Sequence, residues 1–217
     1  MRTILLSIVF VLALTAVSGG APLSADELKD LLAAIRHNRS TQADFQEQRV
    51  IRLMKNPVQS SGTVWFETPN KFRREVKGNS PSITVSDGRN LWIYYSNFKS
   101  AERYPLGKGS PLDATVAAIN SALNLENIES SFNVSATKGD NGHELQLQPR
   151  TAAMKRVFQK LDLRINSEFR VERTEMLLPN GDRIVTTYSN QKRAAIPAWT
   201  FLFEPPAGTE VTTPLGR

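Results

Sequence analysis

From Gly62 to Tyr95 the chain reads GTVWFETPNKFRREVKGNSPSITVSDGRNLWIYY, and this stretch limits the possible folds more than any other. It divides into four short strands separated by turn residues. Val64 and Phe66 alternate with Thr63, Trp65 and Glu67, and Pro69-Asn70 is turn chemistry. Phe72, Arg74 and Val76 alternate with Arg73 and Glu75. Ile83 and Val85 precede Asp87-Gly88, a hairpin signal, after which Leu91, Ile93 and Tyr95 alternate with Trp92 and Tyr94. The last strand is apolar on both faces, and a strand of that kind needs cover on two sides.

The rest of the chain repeats the pattern. Ser24-Ala25-Asp26-Glu27 is a capping box, and Leu28, Leu31, Leu32 and Ile35 follow at helical spacing, which predicts one amphipathic helix over Ala25 to His37. Strands are predicted around Phe45, from Phe132, after Asp140-Asn141-Gly142, from Phe158 to Ile165, from Val171 to Leu178, around Ile184 to Tyr188, and from Trp199 to Phe203. Asn180-Gly181 predicts a type I′ hairpin turn. Between them, Pro111 to Asn124 reads as helical, with Val116, Ile119, Ala122 and Leu123 on one stripe. Ten or eleven short strands with hairpin turns argue a large antiparallel sheet, and a sheet that wide curls or closes. Two arrangements remain open from the residues. A curled sheet has one face lining a concavity roofed by the helical segments; a sandwich has a filled core.

The N-terminus carries Arg2, an apolar run from Ile4 to Val17 and small residues from Ser18 to Ala21, the pattern of a secretory signal peptide. The run is short for a bilayer span, which takes about 20 residues. Residues 1–20 are therefore expected to be a signal peptide and 21–217 a single domain, placed beyond the inner membrane. The chain has no cysteine, so neither disulfides nor an N-terminal lipid anchor is expected. Lys and Arg number 27 against 21 Asp and Glu. That excess fits a solvated basic surface or attraction to anionic headgroups or an acidic partner; Lys71, Arg73 and Lys77 are one such basic strand face. No basic run is present, and with export this argues against a nucleic-acid partner.

Chemistry-bearing motifs are missing. His37 and His143 have no neighbouring ligand at metal spacing, and there is no nucleophile elbow, P-loop or dinucleotide fingerprint. The reading is a non-enzyme without metal or cofactor. Aromatic residues are the better clue: Phe45, Trp65, Phe66, Phe72, Trp92, Tyr94 and Tyr95 gather in the first half of the chain.

Three separated segments, PNKFRREV with SPSITVSDGRNLWIYY, ADFQEQ after the first helix, and FLFEPPAG near the C-terminus, resemble the outer-membrane lipoprotein carrier protein family, LolA. The resemblance implies a half-open antiparallel β-barrel of about eleven strands with an α-helical lid. It implies a monomeric periplasmic chaperone that takes lipoprotein acyl chains from an inner-membrane ABC exporter (LolCDE) to an outer-membrane receptor (LolB). The receptor is itself a lipoprotein, so the missing cysteine favours the carrier. On the same resemblance Phe45, Val64, Phe66 and Phe72 would line the cavity. Leu91 and Ile93 would join them, with Trp92 and Tyr94 taking their place if the register is opposite, and Ile119 and Leu123 would belong to the lid. The family commonly has an arginine before the proline of its first hairpin turn, where it latches the lid. Here Thr68 stands at that latch position, with Arg74 on the adjacent strand as the candidate substitute. Arg74 itself stands where the family has a tryptophan. These departures keep a second function in view: a carrier or sensor of another lipid or lipidated ligand on the same fold.

Overall fold

The computed structural model describes residues 20–38, 41–67, 71–106 and 128–214. The expected signal peptide, Thr68, Ile119 and Leu123 lie outside these. The longest helix among the described residues, α1 (Ala25–Asn38), starts at its predicted cap. The Ser24 N–H and hydroxyl donate to Glu27 Oε2 at 2.8 and 2.7 Å, and the Glu27 N–H returns to Ser24 Oγ at 3.4 Å. This reciprocal box satisfies donors that the first turn leaves without partners. The bonds from Ser24 hold the Glu27 carboxyl below its usual range.

The strands are β1 (Ala21–Pro22), β2 (Gln42–Val50), β3 (Val58–Glu67), β4 (Lys71–Lys77), β5 (Ser82–Ser86), β6 (Asn90–Tyr95), β7 (Ser100–Pro105), β8 (Phe132–Gly139), β9 (Gly142–Pro149), β10 (Lys160–Asn166), β11 (Val171–Leu177), β12 (Arg183–Lys192) and β13 (Glu210–Thr212). Two single-turn helices, α2 (Ile128–Ser131) and α3 (Ala152–Lys155), flank β8 and β9. All thirteen strands form one sheet in the order β1-β8-β9-β10-β11-β12-β2-β3-β4-β5-β6-β7-β13, with β1 and β13 as its two edges. The expected mainly β, open antiparallel architecture holds. Three of the thirteen were not expected, β7 and the two edge strands, the last two being two and three residues long and so too short to show a period, while the strand expected from Trp199 to Phe203 is not one. β13 pairs with β7 in parallel, the one departure from antiparallel pairing among the described strands.

Residues directly opposite across a ladder share a face, so the register carries one face through the whole sheet. Leu147 opposes Val134 and Leu161. Leu161 opposes Met176, and Met176 opposes Ile184. Two residues further along β12, Thr186 opposes Glu47 and Tyr188 opposes Phe45. Phe45 opposes Gly62, and Gly62 opposes Val76. This is the inner face. α1 packs on it over β8–β11, where Leu31, Leu32 and Ile35 join Leu145, Leu147, Leu161, Leu163 and Ile165 in the largest core cluster.

The other half of the sheet is packed from outside. The chain from Ala198 to Phe203 crosses the outer face of β4–β6. Arg73 Nη1 donates to the carbonyls of Thr200 and Leu202 at 3.2 and 3.4 Å, and Phe203 meets the Trp92 and Tyr94 rings at 5.6 Å each. Phe201 and Val85 are buried there. This segment is not the predicted strand: Ala198–Phe201 is a 3₁₀ turn closed by the Thr200 N–H on the Pro197 carbonyl at 2.9 Å. The Asn180-Gly181 hairpin forms, but not as type I′. Gly181 has φ +84 and Asn180 is not in the left-handed region. The turn is longer, with Leu178 and Asp182 joined by a backbone bond of 2.9 Å.

Candidate functional site: the inner wall of β3–β6

α1 covers the inner face over β8–β11, and the C-terminal segment covers the outer face over β4–β6. Among the described residues, these two leave the inner face of β3–β6 without a packed layer. Phe66 opposes Phe72, Phe72 opposes Ser86, and Ser86 opposes Leu91. Ile93 opposes Thr84, which opposes Arg74, which opposes Val64. Phe45, Val64, Phe66, Phe72, Leu91 and Ile93 therefore share the inner face, while Trp92 and Tyr94 point outward to Phe203. Val64 is buried and Phe66, Phe72, Leu91 and Ile93 are half-buried. Among the described residues no element of the α1 cluster packs on Phe72, Leu91 or Ile93.

Phe45 is held differently. Its ring lies across Gly62, where a Cβ would stand 2.9 Å from Phe45 Cε1 and collide with the Glu75 carbonyl. Glycine is thus required at this close approach. On the ring sits the Arg74 guanidinium, 4.3 Å from its centroid. Phe45 is 2 % exposed, so it supports the wall from beneath, and Arg74 is the group presented over it. Arg74 Nη2 lies 2.9 Å from Glu47 Oε2, a close ion pair whose N–H is out of hydrogen-bond alignment. Glu47 also accepts long bonds of 3.4 Å from Ser60 Oγ and Thr186 Oγ1. Beside it, burial pushes the Tyr188 phenol up, with Glu47 adding to the shift and Thr174 and Arg74 opposing it. On β7, the Tyr104 hydroxyl donates to Glu102 at 2.7 Å and its phenol is pushed up to about 12.

Glu47, Thr186 and Tyr188 were missed in the sequence. Glu47 follows Phe45 by two positions on one strand, so period-two reading puts it on the same face; Thr186 and Tyr188 carry no such local signal. The basic face proposed from Lys71 and Arg73 is engaged internally, Lys71 with Glu67 at 2.6 Å and Arg73 with Glu75 at 2.7 Å. His143 is half-buried. It stacks on Phe169 at 6.1 Å, and burial lowers its pKa. No group of three His, Asp or Glu side chains suited to a metal occurs among the described residues.

An open sheet with a helix in one half of its trough and apolar side chains lining the other places this protein in the class of half-barrel β proteins. The particular family follows from comparison. Residues 36–204 match the family described as Outer membrane lipoprotein carrier protein LolA, and the chain belongs to that family, which comprises carriers and not enzymes. It is 29% identical over 206 residues to the outer-membrane lipoprotein carrier protein of Methylibium petroleiphilum, covering 94% of this chain and 96% of that one. It is 27% identical over 190 residues to the protein of the same name from Dechloromonas aromatica, covering 87% and 86%. A solved structure of an uncharacterized conserved protein from Thermus thermophilus shares the fold, with TM-score 0.52 and 16% identity over 86% of this chain and 99% of that chain.

Proposed function

We propose that this protein is a periplasmic carrier that shelters lipoprotein acyl chains between an inner-membrane exporter and an outer-membrane receptor. Export would use residues 1–20 as a signal peptide and leave 21–217 as the carrier domain. Among the described residues no helix is long and apolar enough to cross a membrane. The observation that carries the reading is the inner wall of Phe66, Phe72, Leu91 and Ile93, on strands whose other face is already packed. Such a wall substitutes for bilayer as solvent. Each buried methylene contributes about 0.8 kcal/mol, so three acyl chains with roughly 45 methylenes are held to a membrane by on the order of 35 kcal/mol. Unaided escape is too slow to be useful, and a protein trough supplies the missing route. Depleting the protein is expected to strand outer-membrane lipoproteins in the inner membrane, read by fractionation. Normal sorting after depletion would sink the proposal.

A contact surface for membrane-bound cargo is supported at the β2–β3 turn. Leu53 is 98% exposed and Met54 52% exposed, and Arg49, Arg52 and Lys55 flank them in the chain. The turn is pinned by the Arg52 N–H on the buried Asp182 carboxylate at 3.1 Å. Apolar tip and basic surround fit the headgroup layer of an anionic bilayer. Leu53→Glu is expected to slow lipopeptide uptake from anionic vesicles while leaving uptake from detergent unchanged. Equal slowing of both would remove the turn from this role. A second function, carriage of a different lipid, is favoured by one observation, the charged pair beside the apolar residues of the wall. Mass spectrometry of copurified material separates the two, since free lipid without lipoprotein supports the second.

A further inference from the structure

We propose that Arg74 and Glu47 form a polar station on the inner wall. It hydrogen-bonds the ester or amide carbonyls that join a lipid's acyl chains to its head. The inference rests on the carrier reading and adds to it the part of the ligand that is recognised.

The placement comes from register. Arg74 lies between Phe72 and Val76 on β4 and opposite Val64 on β3, and Glu47 faces the same side from β2. Arg74 is therefore flanked by apolar residues along β4 and on the β3 side, while Thr84 opposes it on β5 and Ser60 and Thr186 stand beside Glu47. Their side chains keep 27% and 24% of their surface exposed, so both reach the trough. The guanidinium is fixed by its stack on Phe45 and by Glu47. Such a contact holds orientation as well as energy. It meets Glu47 through Nη2, whose N–H is not aligned on the carboxylate. A guanidinium carries five N–H donors, so donors remain for an incoming acceptor.

The pair is not what a purely acyl-binding wall calls for. Two partly desolvated charges are expensive to keep, and apolar residues of the same volume serve hydrocarbon at least as well. The chemistry of the acceptor follows from the counter-charge. An anionic head close enough to bond Arg74 also meets Glu47, which lies 2.9 Å from it. A carbonyl oxygen accepts from the guanidinium without carrying a full charge, and Glu47 is placed to accept an amide N–H or hydroxyl from the same head. Recognition at this point marks the junction of chain and head, and so fixes how deep the ligand sits.

The test uses the full mature chain and two synthetic probes of equal chain length, a fluorescent dipalmitoyl-ester lipopeptide and its dialkyl-ether analogue, which lacks the carbonyls. The protein is expected to bind the ester roughly tenfold more tightly, the size of one hydrogen bond to a charged group. Arg74→Leu is expected to bind both equally, with its ether affinity no weaker than that of the unaltered protein. Absence of any ester preference in the unaltered protein, or its persistence in Arg74→Leu, overturns the station. Binding of neither probe overturns the carrier reading and the station with it. Glu47→Gln, close in shape, gives a readout that does not depend on Arg74→Leu folding. It is expected to bind palmitate more tightly than methyl palmitate, while the unaltered protein prefers the methyl ester. A preference for palmitate in the unaltered protein would make Arg74 an anion site instead.

Discussion

Replacing Phe201 by alanine is expected to destabilise the fold by roughly 3–5 kcal/mol, the range for deleting a fully buried phenylalanine. Phe201 is 1% exposed and sits in the 3₁₀ turn that lies over the outer face of β4. Around it, Arg73 holds the Thr200 and Leu202 carbonyls, Lys71 lies 5.9 Å from the Phe201 ring, and Phe203 packs on Trp92 and Tyr94. Removing the ring opens a cavity in that layer. A domain of this kind is stable by about 5–15 kcal/mol in total, so one substitution removes a large share. Urea denaturation followed by circular dichroism measures it. A change below about 1 kcal/mol, the level of an ordinary surface substitution, would show that the C-terminal segment is not a structural layer. The consequence for function is direct: the chain itself secures the outer face of these strands, and among the described residues their inner face is left to another use.

Elements governed by local rules were legible in the sequence. The α1 cap, the Asp87-Gly88 turn and the alternation of β3, β4 and β6 depend on residues within a few positions of one another. Asp87 illustrates this, its carboxylate accepting the Arg89 and Asn90 N–H groups at 2.7 and 2.6 Å. What was not legible depends on partners far along the chain. Trp199 to Phe203 alternates like a strand, yet Arg73, more than a hundred residues earlier, takes up its carbonyls, and the segment folds as a turn. Phe158 was read into the next strand because it is apolar and close by. It instead precedes β10 and is buried in the α1 cluster. Leu91-Trp92-Ile93-Tyr94 is apolar in both registers, so no local pattern could choose its inner side; Phe203 makes the choice. At the site, the wall residues on β3 and β4 were readable by period two, and those on β6 were not. The Arg74–Glu47 pair was not, because its two halves come from strands that become neighbours only through β3.

Phe72→Glu is expected to abolish acyl binding at neutral pH while leaving the protein folded. Phe72 is half-buried on the inner face, opposite Phe66 and Ser86, so the new carboxylate can keep its contact with water in the empty protein. The stability cost is then expected near 1 kcal/mol, typical of a substitution outside the fully packed core. A bound chain changes this, because it would strip water from the charge, a penalty of several kcal/mol, which corresponds to a loss on the order of a hundredfold or more in affinity. The charge also sets a pH dependence. An exposed glutamate protonates near 4.3, and burial under a chain would raise that value, so binding should recover as pH falls from 7 toward 4. Titrating a fluorescent lipopeptide into the variant at both pH values measures it. Trp92→Ala provides the opposite case. Its side chain points outward to Phe203, so it should lower the unfolding midpoint without changing affinity per folded molecule. Unaltered affinity of Phe72→Glu at pH 7, or equal loss at pH 4, would place the acyl path elsewhere on the sheet. Loss that is present at pH 7 and relieved by protonation, set against a Trp92 variant that only destabilises, would divide the labour of the two faces as the strands themselves divide it.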